Sequence, residues 1–378
     1  MIRAMKNIRL FFAMLCSLTA VCCGDDLLTG GQQYDCPGAG VFVCNEGNFM
    51  YGNASLSYYD PATDSVYNQV FYNANNFPLG DVCQSMSIID GRGFVVVNNS
   101  GKVYVIDLNT FKYVGAISGL TSPRYIQQVS PDKIYISDLY SPSMAVADPR
   151  TLEVTGHIYM GTTKGPGKVN GTEQMVMHGR YVYVCSWSYN NKVYKIDTAT
   201  DRVVDSLTVT KQPNSMVLDK NGKIWVLSDG GYTGSPYGEE RATLIRIDAE
   251  QFAVEQILRF PDAAASPSEL CINRAGDRIY FINGSWASGT VPNSGVYAMG
   301  VEETALPAEP FVAEEGRLFY ALAVDPYTDQ VYISDAIDYT QRGLVFRYSP
   351  EGRLLDRFRV DIIPGAFCFK SSQDGTGR

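Results

Sequence analysis

The sequence predicts an all-β protein, a seven-bladed β-propeller with blades that are four-stranded antiparallel sheets. Two observations support this fold class. Short apolar runs alternate with clusters of Ser, Asn, Asp, Gly and Pro, which is the pattern of strands separated by turns. The pattern also occurs seven times, at intervals of roughly 40 to 54 residues, which is the spacing of propeller blades.

The clearest copy of the repeat runs from Gly179 to Asp219. Its four apolar runs, YVYVC, KVYKID, VVDSLTV and SMVLD, are rich in β-branched and aromatic residues and are separated by turn-forming segments. A single meander of this kind cannot bury both of its faces, so it needs neighbours of the same type. The other copies begin at Val41, Gly91, Asp132, Gly222, Asp277 and Asp329.

The order of the strands predicts how the ring closes. Six copies follow a strand that would be innermost in its blade, but the copy at Val41 follows none. A seventh candidate, Gly365 to Lys370, lies at the far end of the chain. We therefore expect this strand to complete the first blade and remove the open sheet edge. Residues 40–370 then form the propeller, with Phe367 and Phe369 buried, and residues 371–378 form a polar tail.

The N-terminal 23 residues have the features of a bacterial targeting segment. Three basic residues precede an apolar run that is too short to span a bilayer. The sequence LTA before the Cys pair resembles a lipobox, and the following GDD resembles the surface-export signal of Bacteroidetes lipoproteins. We interpret Cys23 as the lipidated residue, with Cys22 as the alternative acceptor and a plain secreted signal peptide as the competing interpretation. Residues 24–39 are predicted to be a flexible tether.

The charge of the chain restricts its partners. The formal net charge is −9, and removal of the targeting segment would remove three basic residues and no acidic one. An acidic protein of this kind is a poor match for nucleic acid or for an anionic membrane surface. We therefore expect contact with the membrane only through the lipid anchor.

The connecting segments differ between the two faces of the predicted ring. The plain face has tight turns and short hairpins such as DPATD and DTATD. The loop-rich face has long connections that carry aromatic residues, at 45–54, 73–81, 186–191, 228–241, 283–295 and 334–343. Function concentrates where a rigid scaffold presents elaborated loops. The sequence therefore predicts a ligand over the axis on the loop-rich face.

The candidate ligand contacts fall into two groups. Exposed aromatic side chains on the long loops suit a broad, partly polar ligand, although each aromatic could instead pack between blades. The rim candidates are Phe49, Tyr51, Phe77, Trp187, Tyr189, Tyr232, Tyr237, Trp286 and Tyr339. The channel candidates, at the loop-side starts of innermost strands, are Arg124, Asn214 and Tyr320.

Signals for catalysis are weak. The chain has two histidines, His157 in an outer-strand run and His178 at a plain-face turn, and it lacks the common nucleophile, zinc and phosphate-binding motifs. Three tryptophans are too few for a quinone-cofactor propeller. We therefore expect a protein that is not an enzyme and has no cofactor or metal, with an unspecific Ca²⁺ site at Asp229, Glu239 or Glu240 as an open alternative. A disulfide between Cys44 and Cys368, on adjacent predicted strands, is also left open.

Two motifs, K-x-Y-x-I-D-x-x-T and P-N-S-M-x-x-D, resemble those of the YncE-like seven-bladed propellers over nearly all of 40–370. The opening NEGNF…NASLSYYDP resembles a Bacteroidetes branch of surface lipoproteins. BtuG-type members of that branch capture vitamin B12 and pass it to a TonB-dependent outer-membrane transporter. The resemblance implies a lipid-anchored corrinoid-binding protein at the cell surface. A glycan-binding or adhesion propeller is the main alternative, and a lactonase- or lyase-type propeller is less favoured.

Overall fold

The computed structural model describes residues 31–162, 169–232, 234–284 and 291–374. Within these ranges the chain forms seven four-stranded antiparallel sheets arranged as a ring. The predicted fold class, a seven-bladed β-propeller, is therefore confirmed. One short helix, α1 (Val70–Asn75), follows the first blade, and no helix among the described residues is long and apolar enough to cross a bilayer.

The strands of each blade run in order from the axis of the ring outwards. The innermost strands are β4 (Cys83–Ile89), β8 (Pro123–Ser130), β12 (Thr172–His178), β16 (Pro213–Leu218), β20 (Ser268–Ile272), β24 (Phe319–Val324) and β28 (Pro364–Lys370). The second strands are β1 (Gly40–Asn45), β5 (Arg92–Val97), β9 (Lys133–Asp138), β13 (Tyr181–Ser186), β17 (Lys223–Ser228), β21 (Arg278–Asn283) and β25 (Val331–Asp335).

The outer half of each blade completes the sheet. The third strands are β2 (Ser55–Asp60), β6 (Lys102–Asp107), β10 (Ser143–Asp148), β14 (Lys192–Asp197), β18 (Thr243–Asp248), β22 (Gly295–Gly300) and β26 (Arg342–Tyr348). The outermost strands are β3 (Ser65–Tyr67), β7 (Tyr113–Ile117), β11 (Glu153–Tyr159), β15 (Arg202–Thr208), β19 (Ala253–Arg259), β23 (Val312–Ala313) and β27 (Leu354–Ile362).

The C-terminal strand closes the ring, as predicted. Strand β28 pairs antiparallel with β1, with Gly40 opposite Lys370 and Val43 opposite Phe367. Neighbouring innermost strands contact one another all the way round, and β28 contacts β4. The seven blades therefore share one axis that is surrounded by seven strand ends.

The prediction that Phe367 and Phe369 are buried is wrong, because both side chains are half-buried. Their rings lie 5.9 and 5.3 Å from the ring of Tyr332 in the neighbouring blade. An innermost strand borders the central channel, so a neighbouring blade covers only part of each of its side chains. Removing these two rings should therefore destabilise the fold less than removing fully buried aromatics.

The hydrophobic core lies between neighbouring blades. Phe94 and Val96 of one blade, for example, pack with Ile134, Ile136 and Ala145 of the next. Because the second strands are covered on both faces, they are near-continuous apolar runs such as YVYVC in β13. Each large apolar side chain that is fully buried in this way stabilises the fold by about 1.5–3 kcal/mol.

Aspartates shape the hairpins of the plain face, as predicted. The Asp107 carboxylate accepts hydrogen bonds from the backbone N–H groups of Asn109 and Thr110 at 3.0 and 2.8 Å. Asp197 accepts one from the backbone N–H of Ala199 at 2.9 Å in a different blade. These bonds fix the tight turn after the third strand. The recurring acidic turns are therefore structural.

Part of the predicted tether packs on the propeller. Tyr34 is buried, and its ring lies 4.9 Å from that of Phe111 and 5.9 Å from that of Tyr67. The backbone N–H of Cys36 donates a hydrogen bond to the Asn109 carbonyl at 3.1 Å, beside a plain-face hairpin. The earlier part of the tether, the targeting segment and its two candidate lipidation sites at Cys22 and Cys23 lie outside the described residues.

The two cysteines considered for a bridge are free thiols. In the register of the first blade, Cys44 lies opposite Ala366 and Cys368 lies opposite Phe42. Both thiols are buried. They therefore belong to the apolar core of the first blade.

Candidate functional site

A cavity of about 230 Å³ opens at the axis on the loop-rich face. Seven of its lining residues hold the same position, the second residue of an innermost strand, one from each blade. This axial ring consists of Gln84, Arg124, Glu173, Asn214, Glu269, Tyr320 and Gly365. The three predicted channel residues, Arg124, Asn214 and Tyr320, therefore lie together at one site.

A β-bulge creates each position of the axial ring. In all seven innermost strands the pairing register shifts just after the first residue, so that the second residue has no direct partner on the neighbouring strand. A bulge leaves the extra residue unpaired and re-aims its side chain, and bulges are common beside active sites. Here the bulges direct one side chain from each blade towards the axis.

The seventh position contains a glycine because another side chain occupies its space. A Cβ added to Gly365 would lie 2.5 Å from Oε1 of Glu46, closer than real contacts allow. Glu46 follows β1, and its backbone N–H donates a hydrogen bond to the carbonyl of Ile363 at 2.8 Å. The hydroxyl of Tyr320 donates to Oε2 of Glu46 at 3.1 Å. Glu46 therefore supplies the missing functional group of this blade.

One side of the ring is a buried ion pair. Nε of Arg124 donates to both carboxylate oxygens of Glu173 at 2.9 and 3.0 Å, and its guanidinium also donates to the amide oxygen of Gln84. The side chains of Arg124 and Glu173 are 17% and 3% exposed. Burial acts to lower the pKa of Arg124, but the Glu173 carboxylate raises it, and the net pKa is raised. The guanidinium therefore stays charged, and Glu173 both positions and neutralises it.

The opposite side of the ring holds an unpaired acid. Burial, together with the nearby Glu46 and Glu173, raises the pKa of Glu269 to about 8, although Arg124 acts in the other direction. No described residue donates a hydrogen bond to this carboxyl group. Glu269 is also the one member of the axial ring with a left-handed backbone, at φ 59°. Strain and a perturbed pKa at one residue are typical of functional sites.

A second acid lies beside the predicted Trp187. The indole Nε1 donates to Oδ2 of Asp229 at 3.4 Å, and the backbone N–H of Gly231 donates to Oδ1 at 2.8 Å. Burial raises the pKa of Asp229 to about 6. Among the described residues no cluster of three or more His, Cys, Asp or Glu could hold a metal, so the Ca²⁺ alternative at Asp229 has no support there.

The predicted rim residues surround the cavity to different degrees. Trp187 and Tyr339 line it directly, and the Tyr339 ring lies 5.7 Å from that of Tyr320. Tyr189 is farther out, with its ring 4.8 Å from Tyr237 and 6.3 Å from Tyr232. Four rim candidates are exposed, at 62% for Phe49, 79% for Tyr51, 49% for Tyr232 and 38% for Tyr237.

Two rim candidates have a different outcome. Phe77 does not line the cavity; its ring packs 5.1 Å from Phe71 of helix α1 and 5.7 Å from Tyr113 of an outermost strand. It is therefore part of the packing at the outside of the ring. Trp286 lies outside the described residues.

The sequence interpretation missed Gln84, Glu173, Glu269 and Gly365 of the axial ring, and Glu46 beside it. The signal was present: the innermost strands begin CQSM, PRYI, TEQM, PNSM, SELC, FYAL and PGAF, and the ring is the second letter of each. The two histidines are far from this site. His157 belongs to an outermost strand, and His178 ends β12 at the plain face.

Comparisons with known proteins place the chain in a family. The model of the domain of unknown function DUF5074 matches residues 39–355, which is nearly the whole propeller. The chain belongs to the DUF5074 family. No curated protein sequence is significantly similar to this DUF5074 protein.

Solved propellers resemble this DUF5074 protein in fold alone, at low sequence identity. The periplasmic gluconolactonase of Pseudomonas aeruginosa has a TM-score of 0.65 and 13% identity, over 88% of this chain and 99% of that one. A quinoprotein alcohol dehydrogenase-like protein from Bacteroides thetaiotaomicron has a TM-score of 0.62 and 14% identity, over 88% and 78%. A protein from Lactobacillus plantarum has a TM-score of 0.62 and 12% identity, over 90% and 100%.

Proposed function

We propose that this protein is a ligand-capture propeller at the bacterial cell surface, which binds a corrinoid on its loop-rich face and passes it to a TonB-dependent outer-membrane transporter. One observation carries the proposal: exposed aromatic rings surround a polar axial cavity that is built from all seven blades. A broad macrocycle with peripheral polar groups would contact the rings with its apolar surface and the cavity with its polar groups. Binding of this kind needs no covalent step and no cofactor.

The loops around the cavity are joined across blades, which supports a preformed site. The side-chain amide of Asn48 donates to the backbone carbonyl of Tyr339 at 2.7 Å. The backbone N–H of Met50 donates to Oδ2 of Asp81 at 2.8 Å. Loops held in this way lose less conformational freedom when a ligand binds.

The proposed anchor would leave the binding face free. Only residues 24–30 separate Cys23 from the described chain, and fully extended they would span at most about 25 Å. The first described residues pack beside plain-face hairpins, through Tyr34 and Cys36. Lipidation at Cys23 would therefore attach the protein through its plain-face side and leave the loop-rich face free for the ligand and the transporter.

Binding calorimetry tests the proposed ligand. Cyanocobalamin should bind the wild-type protein, whereas a panel of neutral oligosaccharides should not. Trp187→Ala and Tyr51→Ala should each weaken binding, by roughly 2 kcal/mol where the ring is an anchor. Arg353→Ala, a change at an exposed plain-face hairpin, is the control and should leave the affinity unchanged. If an oligosaccharide binds and cobalamin does not, the ligand is a glycan and not a corrinoid.

Metabolic labelling with a palmitate analogue tests the anchor. The wild-type protein should be labelled, and the Cys22→Ala, Cys23→Ala double variant should not. Single variants then identify the acceptor, with Cys23→Ala expected to lose the label. Equal labelling of the wild type and the double variant would rule out lipidation at either residue.

Lactone hydrolysis is a second candidate, favoured by the properties of Glu269. A half-buried carboxyl group with a pKa of about 8 beside a cavity is suited to general acid–base catalysis near neutral pH. Hydrolysis of glucono-1,5-lactone by the wild type, lost in Glu269→Gln, would support this function. Equal rates with and without protein would exclude it for this substrate.

A further inference from the structure

The axial cavity contains more acid than the ion pair neutralises. Its described lining includes five carboxyl groups, those of Glu46, Glu173, Asp229, Glu269 and Glu314, and one cationic side chain, that of Arg124. Glu173 neutralises the Arg124 guanidinium and accepts two hydrogen bonds from it. Among the described residues, the neutral Tyr320 hydroxyl is the one hydrogen-bond donor to the Glu46 carboxyl group, and Glu269 has none.

A buried carboxyl group without a partner is costly, so its retention needs an explanation. The Glu269 side chain is half-buried, and its carboxyl group borders the cavity without a hydrogen-bond donor among the described residues. A bound cation would supply a partner for Glu269 and a charged partner for Glu46. The cavity is thus complementary in charge to a positively charged ligand group.

The shape and lining of the cavity indicate which cation fits. Among the described residues the acids are spread around the ring and form no cluster that could hold a metal ion. The volume of about 230 Å³ is larger than a 150 Å³ cavity known to take benzene, so it suits a polyatomic group. Five aromatic residues also line it: Tyr125, Trp187, Phe319, Tyr320 and Tyr339. Aromatic faces beside carboxylates are the usual surroundings of a bound organic cation.

We propose that the axial cavity binds an organic ammonium group, which lies between the carboxylates of Glu46 and Glu269 and contacts the faces of Tyr320 and Tyr339. The group belongs either to a free small amine or to a larger ligand that also covers the rim. This inference goes beyond the proposed function, because it concerns the acidic groups of the cavity and holds whether or not the ligand on the rim is a corrinoid.

The protonation of Glu269 predicts how binding depends on pH. With a pKa of about 8 it is mostly neutral at pH 7, and an ammonium group would lower that pKa and release a proton. Affinity should therefore rise from pH 6 to pH 9, while the ligand stays charged. The other groups that act on Glu269 are Glu46, Glu173 and Arg124. Asp229, with a pKa of about 6, adds a smaller step at the acidic end of this range.

Calorimetric titration with butylammonium, and with 1-butanol as its neutral counterpart, tests the proposal. At pH 8 butylammonium should bind at least tenfold more tightly than 1-butanol. Glu269→Gln and Glu46→Gln keep the size of the side chain and should each weaken butylammonium binding at least fivefold. Glu250→Gln, the same change at an exposed plain-face hairpin, should have no effect.

Two further measurements test the proton release on binding and the source of the ammonium group. At pH 7, titrations in two buffers of different ionisation enthalpy should show release approaching one proton by the wild type and none by Glu269→Gln. Glucosamine and N-acetylglucosamine distinguish a free small amine from an ammonium group on a larger ligand. Tight binding of glucosamine, without binding of N-acetylglucosamine, would assign the ammonium group to a larger ligand. If neither amine binds in preference to its neutral counterpart, or if both Gln variants bind like the wild type, the proposal is wrong. Cobalamin is not used, so these results do not depend on the corrinoid.

Discussion

The two ends of each blade differ in how far their residues repeat from one blade to the next. At the plain face the same feature recurs, an aspartate that accepts hydrogen bonds from its own hairpin, as at Asp107 and Asp197. At the loop-rich face the seven equivalent positions of the axial ring carry six different residue types. Repetition at one end indicates a structural role, because every blade must make the same turn. Variation at the other end is the pattern expected if a ligand, as proposed, rather than a shared turn determines these residues.

The carboxyl groups at the two faces also differ in their surroundings and in the direction of their pKa shifts. Plain-face carboxylates are satisfied by neighbouring backbone N–H groups, which lower the pKa of Asp107 despite its partial burial. Axial carboxyl groups are partly shielded from water, and this burial raises the pKa of Glu46 and of Glu269. The axial end therefore holds carboxyl groups in unfavourable surroundings, which the proposed cation would relieve. Neutralising the unpaired axial carboxyl group of Glu269 should therefore stabilise the fold, whereas removing a plain-face carboxylate should destabilise it.

The largest effect should come from breaking the axial ion pair. Arg124→Ala leaves the Glu173 carboxylate buried without its partner, and we expect a loss of about 3–5 kcal/mol in the free energy of unfolding. Chemical denaturation measures this loss. The combined change Arg124→Met, Glu173→Gln should recover part of the stability, because no buried charge is then left unpaired. Equal stability of Arg124→Ala and Arg353→Ala would show that the pair contributes nothing.

The next effect should have the opposite sign. The folded-state pKa of Glu269 is raised to about 8, above its unfolded value, so ionisation disfavours the folded state as pH rises between the two. Each unit of pKa shift corresponds to about 1.4 kcal/mol. Glu269→Gln should therefore gain stability relative to the wild type from pH 5 to pH 8, by a few kcal/mol, and then level off.

Denaturation of both proteins across this pH range checks the prediction. Glu250→Gln, at an exposed plain-face hairpin, should follow the wild type at every pH. A difference between Glu269→Gln and the wild type that does not change with pH would mean that Glu269 ionises normally.

The smallest effect should come from the plain end. Asp107→Ala removes hydrogen bonds to Asn109 and Thr110 and should cost roughly 1–2 kcal/mol of stability. Because the folded-state pKa of Asp107 is lowered, this contribution is present above the unfolded pKa and is lost as pH falls through the folded value. Ligand affinity should not change. Weaker binding by Asp107→Ala would contradict the division between the two ends.

The fold was predictable from the sequence because every blade repeats the same strand pattern. The repeat also identified the far end of the chain as the closing strand. Arg124, Asn214 and Tyr320 were found because their strands were judged to begin at or near them. Glu173 and Glu269 were missed although, like Asn214, each directly precedes a predicted strand. A bulge interrupts the alternation that marks a strand, so a bulged residue looks like the end of a loop.

Other parts of the site depend on contacts that a repeat cannot reveal. Glu46 fills the space beside Gly365, 319 positions later in the sequence, and only ring closure brings the two together. Phe77 shares a long loop with other candidates, but helix α1 draws it into a cluster with Phe71 and Tyr113. Exposed loop aromatics are similar in sequence whether they face a ligand or a neighbouring blade.

Hydrogen–deuterium exchange with and without cyanocobalamin tests most directly where the ligand binds. The proposed site predicts protection in loop 45–54 and in the segment from Asp229 to Arg241, which carry exposed rim rings. It also predicts no change in the plain-face hairpins at Asp107 and Asp197. Protection confined to those hairpins, or spread evenly over both faces, would contradict a ligand site on the axis of the loop-rich face.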